Sequence, residues 1–429
     1  MSTRIEQVTA RRIWDSRGRP TVEVEVALAC GARGRGMAPA GASRGTHEAV
    51  DLRDGGEALG GFGVSHALRN VNTTIAPALQ GLDALDQEGV DRVLVALDAT
   101  PNKARLGGNA TIATSCAVLQ AAAAGAGQPL WRYLASDGEV TLPLPQIQIF
   151  GGGAHAGRRV DIQDFLVMPV GAASFDEALV MCAEVYRHAG VWMERRGRRA
   201  GVADEGGWWP QFDSNEEALA ALAQSIEAAG YRNGEVAIAL DIAASEFGHD
   251  GRYRLGLEGR ELDSGEWLDQ LLAWLARYPI VSIEDPVAED DATGMQAFTR
   301  AAGASVQIIG DDYLVTNAER IAQAARAGAC NAVLLKPNQA GTITETKQAL
   351  VAARAHGFAT IVSARSGETE DASIVHLAVG WNCGQLKVGS FARSERMAKW
   401  NEGLRIEQAL GPAARYAGRS VLAPRERTP

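Results

Sequence analysis

Residues 305–338 read SVQIIGDDYLVTNAERIAQAARAGACNAVLLKPN, and their pattern decides the fold. A short β-branched run (305–312) ends in Gly-Asp-Asp, an Ala-rich helical segment follows, and a second apolar run (331–338) ends in Lys-Pro-Asn. The pattern is a strand, a helix and a strand, with polar residues where each strand ends. The same unit recurs on both sides, as VAIALDIAA (236–244), PIVSIEDP (279–286), ATIVSARS (359–366) and QLKVGS (385–390). Asp241, Glu284, Asp311, Lys336, Arg365 and Lys387 close these runs. After a first gap of 43 residues their spacings of 22 to 29 residues match one β/α unit. Polar strand ends on so many units predict a parallel β/α barrel with its site at the C-terminal face. A doubly wound open sheet would instead gather them at one switch point, behind a glycine fingerprint.

The first 135 or so residues read differently. Val22, Val24 and Val26 alternate with polar residues, Ile5, Val8 and Ile13 form a looser run, and Asp15-Ser16-Arg17-Gly18 marks a turn, so a hairpin is predicted. A Gly- and Ala-rich loop, MAPAGASRGTHEA (37–49), precedes helical patterns over 56–80, 86–97 and 109–126. The expected organisation is a smaller α+β N-terminal domain over residues 1–135 and a barrel over 140–429 that carries the site.

Composition excludes several function classes. The 429-residue chain is 46% hydrophobic and 22% charged, as a globular protein with a sizeable core should be. A formal net charge of −10 speaks against a nucleic-acid surface, which depends on Lys and Arg to neutralise phosphates. Five dispersed cysteines suggest neither a disulfide framework nor a CxxC metal site. No apolar stretch has the length of a membrane span, and the N-terminal residues do not read as a signal peptide, so a cytoplasmic protein is expected.

Asp241, Glu284 and Asp311, pointing into one mouth, would repel one another unless a cation sat among them, and an all-oxygen set suits Mg²⁺. Lys336, one unit further on, is expected to have its ammonium form disfavoured by such cations and to serve as a base. GVADEGGWWP (201–210) offers Asp204 and Glu205 before a glycine pair, and GGGAHAGRRVDIQDF (151–165) offers His155, Gln163 and Asp164. Carboxyl groups on loops opposite a lysine supply the parts for removing a proton on one side and protonating a leaving group on the other.

With DSRGRPTVEVE, DEGG, DIAASEF, SIEDP, GDD, KPNQAGTITET, RSGETED and LKVGS in this order, the chain resembles the enolase family over nearly its whole length. The resemblance implies an atypical barrel that opens with an antiparallel strand pair, a homodimer, and two Mg²⁺ ions per site. It further implies loss of water from 2-phosphoglycerate to give phosphoenolpyruvate. By motif, Lys336 corresponds to the base, Glu205 to the acid with Asp164 beside it, and Asp241, Glu284 and Asp311 to the ligands of the first Mg²⁺. Ser43 falls where a mobile loop closes on a second Mg²⁺. Arg365 and Ser366 fall at the phosphate, Lys387 at the carboxylate, and His155 in a loop that closes over the substrate.

Departures from the family pattern cluster at the phosphorus pocket. Ala364 replaces a histidine, Arg44 a threonine, Asp164 a glutamate and Gly151 an asparagine, while Pro337 follows the lysine in place of Phe or Val. An imidazole is removed and a guanidinium suited to carboxylates is added. The expectation is therefore an elimination on a substrate with a larger anionic group. That resembles a specialised branch of the family, carboxyphosphonoenolpyruvate synthase of phosphinothricin-type pathways, acting on phosphonoformylglycerate. An ordinary glycolytic enolase is the alternative. A non-catalytic binding protein is the remote one, disfavoured because a buried, mutually repelling acid cluster has no other reason to persist.

Overall fold

The computed structural model describes residues 2–135, 138–232 and 234–423; the first residue and the last six of the expected domain ranges lie outside these. Ile5–Trp14 (β1) and Pro20–Leu28 (β2) form the predicted antiparallel hairpin, with Val22, Val24 and Val26 fully buried. Its turn is set by Asp15, whose Oδ1 accepts from the backbone N–H of Arg17 (2.9 Å) and Arg19 (2.8 Å), and by Gly18 at φ +69°. A third strand, Arg33–Met37 (β3), was not anticipated, because RGRGM has no β-branched residue. Its glycines serve close packing: at Gly34 and Gly36 the backbone of the helix Gly108–Gly125 occupies the space a side chain would need.

The helix predicted from residue 56 begins at Ser65, since Gly60 and Gly61 take positive φ and break the earlier pattern. Gln87–Asp98 and Gly108–Gly125 match the other two helical patterns.

The barrel is closed by Leu144–Gly151 (β4), Asp164–Met168 (β5), Ala237–Asp241 (β6), and, after a small sheet of Gly248–His249 (β7), Arg252–Leu255 (β8) and Arg260–Asp263 (β9), by five more strands. These are Ile280–Glu284 (β10), Gln307–Gly310 (β11), Ala332–Leu335 (β12), Ala359–Ser363 (β13) and Gly384–Gly389 (β14). Around the ring the order is β10-β11-β12-β13-β14-β4-β5-β6. Only β5 runs against its neighbours, pairing antiparallel with both β4 and β6. Each of the six runs read from sequence is a barrel strand; Asp241, Glu284, Asp311, Lys336 and Arg365 lie at or just beyond the C-terminal ends of theirs, and Lys387 lies two residues before the end of β14. No described helix is long and apolar enough to cross a membrane. The five cysteines are free, four of them buried.

At the opposite, N-terminal end of the barrel, buried amides meet. Gln146 donates to Gln385 Oε1 (3.0 Å), Gln307 donates to Ser282 Oγ (3.0 Å) and Gln385 Oε1 (3.0 Å), and Gln385 donates to Gln307 Oε1 (2.8 Å). The chain's closing segment covers them, with Val421 O accepting from Gln385 and Ala423 N donating to Gln307.

The N-terminal elements dock at the other end. Asp91, buried on the helix Gln87–Asp98, accepts from Thr344 N (2.9 Å) and Thr344 Oγ1 (2.6 Å), and Asn338 Nδ2 donates to Pro39 O (3.0 Å). The glycine-rich loop 37–49 is thereby laid across the barrel mouth.

Candidate active site

Alternation along each strand turns every second side chain into the barrel, so residues at the strand ends converge on one mouth. Lys387, on β14, sits among acids: its Nζ donates to Asp241 Oδ2 (2.7 Å) and Glu284 Oε2 (2.8 Å) and lies 3.5 Å from Asp164 Oδ2. Lys336, just past β12, bonds Asp311 Oδ2. Pro337 suits its place, since it opens the short helix Pro337–Ala340 at a position where no N–H is needed. Gln163 Nε2 donates to Asp241 Oδ2 (3.0 Å).

A second cluster lies beside these acids. His155 Nδ1 is 2.8 Å from Asp164 Oδ1, and its Nε2 is 2.9 Å from Ser366 Oγ and 3.6 Å from Glu205 Oε1. Burial would lower the His155 pKa, but Asp164 and Glu205 outweigh it and hold the imidazole at about 9. Burial raises the Glu205 carboxyl, against the pull of His155, and favours its protonated form. Asp164 ends below the usual carboxylate range, since His155 and Lys387 overcome the burial that would raise it.

The anion clamp is tied to the glycine-rich loop. Arg365 Nη1 donates to Glu48 Oε2 (2.8 Å) and Nη2 to the Ser43 carbonyl (3.1 Å), while Ser366 Oγ accepts from Ala42 N (3.1 Å). Glu48 also accepts from Gly45 N (3.0 Å), so one carboxylate holds both the loop and the arginine.

Most residues singled out by sequence therefore meet in one place: Asp164, His155, Gln163, Glu205, Asp241, Glu284, Asp311, Lys336, Arg365, Ser366, Lys387 and Ser43. Three expectations change. Arg44 does not join the clamp; it is exposed, and its guanidinium pairs with Asp51 (2.9 Å). Ser43 joins through its carbonyl. Lys336 is not pushed toward a low pKa by the protein itself: burial lowers it, but Asp311 and Glu284 more than compensate and the ammonium is favoured. The expected lowering is an effect of a cation's charge, which side chains alone do not supply.

The metal-ligand expectation also needs refinement. Among the described residues, His155, Asp164 and Glu205 have ligand atoms all within 4.8 Å of one another, as do Asp285, Asp311 and Asp312, but Asp241, Glu284 and Asp311 are not such a set. Lys387 Nζ bridges Asp241 and Glu284, and Lys336 Nζ bonds Asp311. The donor chemistry nevertheless fits a hard divalent cation. Glu284 Oε1 and Gln163 Oε1 are buried without a hydrogen-bond partner among the described residues, and burial together with Asp241 drives the Glu284 pKa well above its ordinary value. An oxygen-rich site with uncompensated acceptors is what Mg²⁺ would satisfy.

Several contributors were missed from sequence. Asp285 accepts from the N–H groups of Asp311 (2.9 Å) and Asp312 (2.7 Å) and so sets the loop after β11. Gln339 Nε2 links Asp311 Oδ1 (2.9 Å) to Glu48 Oε1 (3.2 Å). Gln148 bonds Asp164. For Gln148 a signal existed: a glutamine inside the apolar run of β4 must find a buried partner.

Two family models match. The description "Enolase, N-terminal domain" covers residues 5–134, and "Enolase, C-terminal TIM barrel domain" covers residues 139–425. Enolase 1 of Desulfitobacterium hafniense (strain Y51) is 50% identical over 425 residues, spanning 98% of this chain and 97% of that protein. The chain belongs to the enolase family, whose members are Mg²⁺-dependent hydro-lyases.

Proposed function

We propose that the chain removes water from 2-phosphoglycerate to give phosphoenolpyruvate. The observation that carries this is the placement of base and acid on opposite sides of the mouth. Lys336 follows β12 and Asp164 lies on β5, four strands away around the closed ring, with Glu205 and His155 beside Asp164. Lys336, in its neutral form, takes the proton from the carbon next to the substrate carboxylate. Glu205, whose carboxyl burial raises above its ordinary value, is placed to pass a proton to the departing hydroxyl. Asp164 and His155 orient that acid, and Arg365 with Ser366 receives the phosphate. Lys387 receives the carboxylate. Asp241, Glu284 and Asp311, with Ser43 for a second ion, would hold Mg²⁺, which when bound would supply positive charge to the substrate carboxylate as it becomes more negative. Residues 1–135 serve as a domain that lays its loop over the barrel of 140–429, and the working form is a cytoplasmic homodimer.

A second reading has one observation in its favour. Ala364, between Ser363 and Arg365, puts a methyl where the family pattern places an imidazole, next to the anion clamp. A smaller side chain at this position would suit the larger phosphorus group of phosphonoformylglycerate, as in carboxyphosphonoenolpyruvate synthase. Arg44, paired with Asp51, lends that reading no support. The two are separated by following enolpyruvyl absorbance with each substrate in Mg²⁺. Preference for 2-phosphoglycerate in kcat/KM supports the first, and a preference of about tenfold or more for the carboxylated analogue replaces it with the second. Arg44→Thr is expected to leave the preference unchanged under either reading.

A further inference from the structure

Gln148 is fully buried on β4, and its amide is held at both ends: Nε2 donates to Asp164 Oδ1, and Oε1 accepts from Gly207 N at 2.8 Å. Gly207 belongs to the turn that presents Glu205, closed by Ala203 N to Gly207 O (2.8 Å) and Gly206 N to Ala203 O (3.0 Å). One side chain thus ties the strand carrying Asp164 to the loop carrying Glu205.

The space around this amide is cleared for it. A methyl group at Gly207 would come within 2.5 Å of Gln148 Oε1, and one at Gly151 would lie 3.1 Å from that oxygen and 2.6 Å from the Ala203 methyl. Gly151, a departure from the family pattern, is therefore accounted for by the room that Gln148 and Ala203 need. Asp164 Oδ1 receives Gln148 on one side and His155 (2.8 Å) on the other, which leaves Oδ2 without a hydrogen bond among the described residues and 3.5 Å from Lys387 Nζ.

The lengths are complementary. Asp164 is one methylene shorter than the glutamate of the family pattern, and the gap between β4 and β5 is fixed by their antiparallel pairing, Gly151 opposite Asp164. A short acid on one strand is met by a long amide from the other.

We propose that Gln148 is the positioning residue for the acid side of the site, its length matched to Asp164, so that it fixes both where the carboxylate points and how far it stands from Glu205. This rests on the roles given above to Asp164 and Glu205. Shortening the amide breaks its bond to Asp164, and lengthening the acid drives it into the amide. Making both changes transfers one methylene across the gap and closes it again.

The test is a double-mutant cycle of Gln148→Asn, Asp164→Glu and their combination, with kcat and KM measured for the substrate that the wild type prefers. Each single variant should lose about 10- to 100-fold in kcat with KM changed by less than about threefold, and the double variant should return to within about fivefold of wild type. A double variant whose loss equals the product of the single losses overturns the inference. If Gln148→Asn does not fold, the comparison of Asp164→Glu with the double variant decides: no gain in kcat from shortening the amide overturns it equally. Asp164→Ala separates the underlying reading. Its retaining kcat within about threefold removes Asp164 from the chemistry and the inference with it, whereas an inactive Asp164→Ala with a multiplicative cycle overturns the inference alone.

Discussion

Along β14, Gln385 and Lys387 both face the barrel interior two residues apart; along β10, Ser282 and Glu284 do the same, and along β4, Gln146 and Gln148. The first of each pair lies in the amide cluster near the barrel's N-terminal end, the second at the mouth. The lower cluster is neutral, and among the described residues none of its atoms is both buried and unpartnered. The mouth is charged, and Glu284 Oε1, Gln163 Oε1 and Asp164 Oδ2 are left without hydrogen bonds. Burial of either kind is costly, but only the neutral cluster recovers the cost within the protein. One rung of side chains closes the barrel, and the next holds charge in readiness for a ligand.

The comparison is broken most severely by removing the base. Lys336→Ala should cut kcat by about 10³-fold or more while the protein still folds, read as loss of enolpyruvyl absorbance under saturating substrate. Substantial turnover by this variant would mean that the mouth's charges are organised around some other residue.

Glu284→Gln separates stability from function. The Glu284 pKa is raised by burial and by Asp241, so its charged form opposes folding at neutral pH, and a neutral amide removes that opposition. The variant should weaken the Mg²⁺ dependence of turnover by about 10- to 100-fold, yet melt no lower than wild type in chelator. A lower melting temperature in chelator would show the acid to be a structural partner of Lys387 rather than a strained ligand.

At the other end the signs reverse. Gln307→Leu strips Ser282 Oγ of its donor and leaves Ala423 N without an acceptor. Urea unfolding should record a loss of about 1–3 kcal/mol, with kcat within about twofold of wild type.

Sequence made the repeated units plain because each ends in a polar residue that an apolar strand does not otherwise contain. It could not show how those residues pair. Lys387 was expected at a substrate carboxylate and in the protein alone also bridges Asp241 and Glu284. Arg44 looked like an anion ligand because loop cations and site cations are identical in sequence, and only the nearby Asp51 decides between them. Strand β3 escaped notice because Gly34 and Gly36 are there for the helix packed against them, a tertiary reason with no local propensity behind it. The neutral cluster was invisible for a similar cause: Gln146, Gln307 and Gln385 stand far apart in the chain and become one network only when the barrel closes.

The smallest effect is the sharpest discriminator, because it compares two glutamines on one strand. Gln146 donates a single bond, to Gln385 Oε1, and that oxygen keeps a second donor in Gln307. Gln146→Met removes the amide at nearly constant volume and orphans nothing, so stability should fall by less than about 1 kcal/mol and activity should be unchanged. Gln148→Met makes the same chemical change two residues nearer the mouth. There it leaves both Asp164 and the Gly207 N–H short of a partner, and kcat should fall by about tenfold or more. Equal effects from the two substitutions would mean that position along the barrel axis does not divide closure from chemistry in this chain.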